Sequence, residues 1–212
     1  MPKMWIALVL SVSSSFCSVL AQVETDIKGN DRTVSAFLMG EGDHVVIALH
    51  GGSGTNRGFF FSPCGGQMGR KLANAGFRVI AVTWPGRTGT GFIEVGTAIA
   101  HARETGARKI SLMGHSRGGE LAADYARAEV DGTFDTVIEF SSVNDKGLPM
   151  TKTKKLFAFN KNDPHARWQP TAFEKSADPK QKIELGGGGH CVGQLIVEKA
   201  DLVRDVVRLL RQ

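Results

Sequence analysis

The sequence is poor in several features that would direct it to other roles. No H-E-x-x-H or comparable metal-ligand spacing occurs in its 212 residues. The formal charge of +5 is spread along the chain, without a Lys/Arg block or basic residues interleaved with aromatics. A nucleic-acid partner is therefore not expected. The densest basic patch, Lys152-Thr153-Lys154-Lys155, reads as a solvated loop. The glycine run Gly186–Gly189 lacks the Lys-Ser/Thr of a phosphate loop and the G-x-G-x-x-G context of a dinucleotide site. There is no internal repeat and no low-complexity linker. The first apolar run, Met4–Leu10, is soon broken by Ser11, Ser13, Ser14 and Ser15, which excludes a stable membrane-spanning helix there. Cysteine is scarce, at three residues.

What is present at the N-terminus has the form of a secretory signal. Lys3 supplies the positive charge, Met4–Leu10 the apolar stretch, and Val19-Leu20-Ala21 small residues for cleavage before Gln22. Residues 1–21 are read as signal and 22–212 as one mature domain, secreted or periplasmic, without a membrane anchor. Phe16 stands where lipidation of Cys17 would want a small residue. Removal of the signal takes Cys17 and leaves Cys64 and Cys191. In an exported protein that pair is a disulfide candidate; the alternative is two separate buried thiols.

The composition of the whole chain, 42% hydrophobic and 22% charged, suits a globular core. Val23–Lys28 and Thr33–Gly40 predict a leading hairpin, with Gly29-Asn30-Asp31 as its turn. His44–Leu49, Phe77–Thr83, Lys109–Gly114, Thr136–Phe140 and Lys155–Phe159 are short apolar runs that do not alternate. Such runs predict strands buried on both faces. Gln181–Leu185 is a last strand. Helices are expected over Gly66–Ala75, Phe92–Glu104 and Glu120–Glu129. Two more are expected over Pro164–Lys175, with a break at Pro170, and over Val197–Leu210. Gly76 and Gly106 supply two of the helix stops. Strands alternating with amphipathic helices imply an α/β fold with a mostly parallel sheet covered on both faces.

In such a sheet the loops after the strands gather at one edge, where sites form. Four of these loops carry chemistry. Gly114-His115-Ser116-Arg117-Gly118 joins a strand to a helix, the context in which G-x-S-x-G makes a nucleophile elbow. His50-Gly51-Gly52 follows the first buried strand. Asn160-Lys161-Asn162-Asp163-Pro164 follows a later one; Asp163 could orient a base, or only cap the next helix. His190 follows four glycines, whose flexibility would let its ring reach another loop. His44, His101 and His165 lie in less telling places. His115 flanks Ser116 and is expected to point away from it. Asp145 is the rival acid.

The order Ser116, Asp163, His190 is nucleophile, acid, base. On these residues the chain resembles the α/β-hydrolase family, over roughly residues 33–211, and most closely its small bacterial members without a lid. Many relatives carry a lid between the strands that end here near Phe140 and begin near Lys155, and residues 141–154 are too few to make one. The resemblance implies a serine esterase or lipase-like enzyme acting on a small-molecule ester. Ser116, His190 and Asp163 would form a catalytic triad. The N–H groups of Arg117 and of Gly51 or Gly52 would form the oxyanion hole. No cofactor or metal is called for, and a monomer is the default. A peptidase, thioesterase or perhydrolase stays open, as does a non-catalytic binding protein on the same scaffold. Cys64 and Cys191 would lie at the same edge, where a disulfide would tie the Gly51 loop to the His190 loop. Phe59, Phe60, Phe61, Trp84 and Trp168 could line an acyl pocket or belong to the core.

Overall fold

Apolar strands that cannot face water on either side decide the architecture. The computed structural model describes residues 22–29 and 32–212. The expected signal segment and part of the expected hairpin turn lie outside them. Eight strands run β1 (Gln22–Lys28), β2 (Thr33–Met39), β3 (His44–Leu49), β4 (Arg78–Val82), β5 (Lys109–His115), β6 (Thr136–Phe140), β7 (Lys154–Asn160) and β8 (Lys180–Leu185). They form one sheet in the order β1-β2-β4-β3-β5-β6-β7-β8. The leading hairpin joins antiparallel at one edge; every pairing from β4 to β8 is parallel. Strands β3 and β6 are buried at every residue. Edge strand β8 is not buried at any, and its Lys and Glu side chains face water.

Seven helices complete the described elements: α1 (Gly58–Phe61), α2 (Met68–Asn74), α3 (Phe92–Glu104), α4 (Arg117–Ala128), α5 (Gln169–Lys175), α6 (Val192–Glu198) and α7 (Leu202–Arg211). Their apolar stripes cover both faces. Val95, Ile99 and Ala102 of α3 share one core with Leu121 and Ala122 of α4 and Ala172 of α5. Phe60 of α1 and Leu72 of α2 share the other with Leu195 of α6 and Val206 of α7. Gly76 and Gly106, at φ 92° and 86°, lie one residue beyond the C-caps of α2 and α3, where a left-handed residue ends a helix.

Three expectations need correction. The terminal helix is two helices, because Lys199 leaves helical dihedrals (φ −130°, ψ 90°) and Val197 is 85% exposed, off the buried face. Pro164–Lys175 is helical only from Gln169, and Pro170 begins that helix instead of breaking it. The short helix α1 was not expected. Between β6 and β7 only residues 141–153 intervene, without helix or strand, so there is no lid.

One buried carboxyl stands beside the central strand. Glu139 on β6 is fully buried, pairs in register with Gly114 of β5, and accepts a hydrogen bond from Asn144 Nδ2 at 3.1 Å. Its other oxygen has no protein partner. Burial pushes its pKa up to about 7, against hydrogen bonds from Ser142 and Asn144 that favour the carboxylate. A raised folded-state pKa means stability that is complete at low pH and is lost as pH rises through about 7. Relative to Glu139→Gln, the wild-type chain should lose about 3 kcal/mol of unfolding free energy between pH 4.5 and 7. Urea denaturation of both across that window checks this; a constant difference would contradict it.

Candidate active site

The site begins with a backbone strain. Ser116 sits between β5 and α4 at φ 55°, ψ −121°, a conformation that a residue with a side chain rarely adopts. Its N–H donates to the Phe140 carbonyl at 2.9 Å, and its own carbonyl accepts from Gly119 N at 3.0 Å. Neighbouring glycines make the turn possible. A Cβ on Gly114 would collide with the Gly118 carbonyl, and one on Gly118 with the carbonyls of Leu49 and His50. The elbow is thus pressed directly against the end of β3.

The 50–52 loop lies over it. A Cβ placed on Gly51 would stand 3.4 Å from Ser116 Cβ, and one on Gly52 3.2 Å from Arg117 Cδ. His50 anchors this loop. Trp84 N–H donates to His50 Nε2 at 3.3 Å, so the proton sits on Nδ1, which donates to the Gly51 carbonyl at 2.6 Å. Trp84 Nε1 returns a bond to the His50 carbonyl at 3.2 Å, and the rings stack with centroids 5.5 Å apart. Burial lowers the His50 pKa and keeps the ring neutral.

Across the sheet edge, Asp163 follows β7 with its side chain fully buried. His190 Nδ1 donates to Asp163 Oδ2 at 2.7 Å, and the His165 N–H donates to Oδ1 at 2.9 Å. The pairing leaves His190 Nε2 with its lone pair available to accept a proton. Asp163 does not cap α5, which starts six residues later. The rival Asp145 is exposed.

The structure corrects the reading of His115, which does not point away. Its Nε2–H donates to the His190 carbonyl at 3.0 Å, and the two rings lie 4.7 Å apart. On another side, the His165 ring stands 4.9 Å from His190. Burial, and then the charge of His190, push the His115 pKa down to about 4. His115 therefore packs against His190 as a neutral donor.

The glycine loop before His190 is held in place at several points. Asn160 Nδ2 donates to the Gly189 carbonyl at 2.7 Å and to Glu198 Oε1 at 2.9 Å; Glu198 Oε2 accepts from Gly187 N at 3.0 Å. Asn162 Nδ2 reaches the Gly186 carbonyl at 2.7 Å. A disulfide joins Cys64 to Cys191, with Cα atoms 4.6 Å apart. It links the segment after α1 to the residue beside His190. Asn160 and Glu198 escaped sequence reading. A polar residue ending an otherwise apolar strand was the available signal for Asn160.

Of the five aromatics with two possible places, Phe59, Phe60 and Trp84 are buried, and Phe61 and Trp168 are 41% and 44% exposed. Among the described residues no cluster of His, Cys, Asp or Glu has the arrangement of a metal site.

A strained serine, a glycine loop against it and an Asp–His pair are thus gathered at one sheet edge. The sequence model of the alpha/beta hydrolase family matches residues 46–178, and the chain belongs to that family. No curated protein matches it. Among solved structures, the Pyrococcus furiosus esterase Pf2001 superposes with a TM-score of 0.67 at 12% identity, covering 91% of this chain and 92% of that one. A dienelactone hydrolase from Anabaena variabilis gives 0.63 at 15%, covering 90% and 94%. Est1E from Butyrivibrio proteoclasticus, with ferulic acid bound, gives 0.69 at 11%, covering 89% and 100%. At these identities the likeness is one of fold.

The disulfide closes a segment with a sequence separation of 127 residues. Replacing Cys64 and Cys191 together by Ser should lower unfolding free energy by about 2–5 kcal/mol. Denaturation of the oxidised wild type and the double variant measures this; equal stability would contradict it.

Proposed function

We propose that this chain is a serine hydrolase that cleaves carboxylic ester bonds of small molecules through an acyl-enzyme. The observation that carries this reading is the 2.7 Å Asp163–His190 hydrogen bond at the sheet edge where the Ser116 elbow ends. His190 Nε2 takes the Ser116 hydroxyl proton as Oγ attacks the ester carbonyl carbon. Asp163 fixes the Nδ1–H tautomer and stabilises the imidazolium that forms. The negative charge on the former carbonyl oxygen is met by the N–H of Arg117 and that of Gly51 or Gly52. Collapse of the tetrahedral intermediate breaks the C–O bond, and His190 returns its proton to the departing alcohol. Water then enters, gives its proton to His190 and attacks the acyl carbon. The acid leaves and the Ser116 hydroxyl is restored.

Every proton and charge in this mechanism is handled by side chains and backbone N–H groups of the chain itself. The disulfide suits an oxidising compartment, in accord with export after cleavage at Ala21. Among the described residues no helix is long and apolar enough to cross a membrane.

Hydrolysis of p-nitrophenyl acetate, with a peptide and a thioester as controls, tests the reading. The ester should be turned over fastest. Ser116→Ala should lower kcat by about 10³-fold or more, and Asp163→Asn by about 10⁴-fold through the wrong tautomer. Preference for the peptide or the thioester would replace the ester reading. Full activity of Ser116→Ala would end it.

A further inference from the structure

Beside the elbow a cavity of about 70 Å³ opens under the 50–52 loop. Gly51 and His115 line it next to Ser116; His50, Gly54, Gly58, Phe59, Ser62, Cys64 and Gly65 complete the wall. We propose that this cavity is the acyl pocket, and that it admits a short unbranched acyl group of about two to four carbons. The inference rests on the proposed acylation of Ser116 and adds the substrate class.

Position comes first. A Cβ on Gly51 would touch both His115 Nδ1, at 3.1 Å, and Ser116 Cβ, at 3.4 Å. Gly51, a lining residue of the pocket, is thus in contact with the nucleophile residue. An acyl chain attached to Ser116 would enter this pocket past Gly51.

Its walls are chemically suited to methylenes. Four glycines, Phe59 and the disulfide-bonded Cys64 make up most of the lining, with Ser62 as its one hydroxyl residue. The two imidazoles that border it are both kept neutral, as burial lowers the pKa of each. No Lys, Arg, Asp or Glu lines it, so it offers nothing to a charged acyl terminus.

Its size is small and fixed. A volume of 70 Å³ holds on the order of five water-sized groups. The wall has little freedom to swell. Gly65 is pressed against the Gly58 carbonyl and Phe59 Cα, tightly enough that a Cβ would not fit. Cys64 is fixed by the bond to Cys191, and its carbonyl accepts from Gly193 N at 3.0 Å. Phe59 is 2% exposed and belongs to the core between the sheet and α2. A close-packed wall of this kind excludes an extra methylene instead of yielding to it.

Gly58 offers a clean probe. A Cβ there would meet only His50 Cβ, at 3.9 Å, so a side chain enters the cavity without backbone collision. The experiment is kcat/KM of the oxidised full-length mature chain on p-nitrophenyl acetate, butyrate, hexanoate and octanoate. Wild type should fall at least tenfold from butyrate to octanoate. Gly58→Val should lower the butyrate-to-acetate ratio by about tenfold or more, the scale of a methylene in a tight pocket. Gly58→Ala should lower it by about threefold, and serves if the larger side chain impairs folding. A wild-type preference for octanoate, or an unchanged ratio in both folded variants, would overturn the pocket while leaving Ser116 chemistry standing. Failure of wild type on every ester would overturn the underlying reading instead.

Discussion

The site depends on one contact between backbones. Gly118, at the start of α4, lies against the carbonyls of Leu49 and His50 at the end of β3, with no room for a Cβ. Gly114 is packed as closely against Gly118 from below. These two contacts let the chain turn from strand to helix in one residue, and that residue is Ser116 at φ 55°. The strain is maintained because its neighbours are fixed: β5 lies between two buried parallel strands, β3 and β6, and the Ser116 N–H is tied to Phe140. The same contact brings the 50–52 loop over the elbow. Serine and glycine loop are therefore positioned by one close approach.

Histidines finish the arrangement, and their environments separate their tasks. His50 is buried, neutral and tied on both ring nitrogens, so it shapes the loop. His115 is neutral and uses Nε2–H to hold the main chain of His190. His190 is partly exposed, with its side chain at 27%, and has one nitrogen committed to Asp163. Of the three, it alone has both a buried carboxylate partner and access to solvent, as the proposed role of general base requires. The disulfide and the Asn160–Glu198 bonds convert a run of four glycines into a defined support for it. Glycine here serves close passage of the chain; the rigidity comes from neighbours.

Much of this was legible in the sequence because it is written in local patterns. Continuous apolar runs mark the buried strands, and the Ser116, Asp163 and His190 loops follow strands β5, β7 and β8. The two cysteines left beyond the expected signal segment pointed to the Cys64–Cys191 bond. What was hidden depends on contacts between distant segments. The direction of His115 is set by where the 186–191 loop lands, and nothing beside residue 115 encodes that. The break at Lys199 is hard to see because α6 and α7 both bury apolar residues in the same core, and their stripes run on as one. The Glu139 carboxyl reads as an ordinary strand residue until both neighbouring strands enclose it. The bond from Asn160 to Glu198 spans 38 positions, beyond any local signal.

The central claim is that Ser116 is a nucleophile activated by His190 in the folded protein. Its most direct measure is covalent labelling by a fluorophosphonate, with the modified peptide identified by mass spectrometry. The account predicts one adduct, on Ser116, formed by the native wild type and suppressed by unfolding or by His190→Ala. No adduct on the native chain, or equal labelling of Ser116 after His190→Ala, would contradict it.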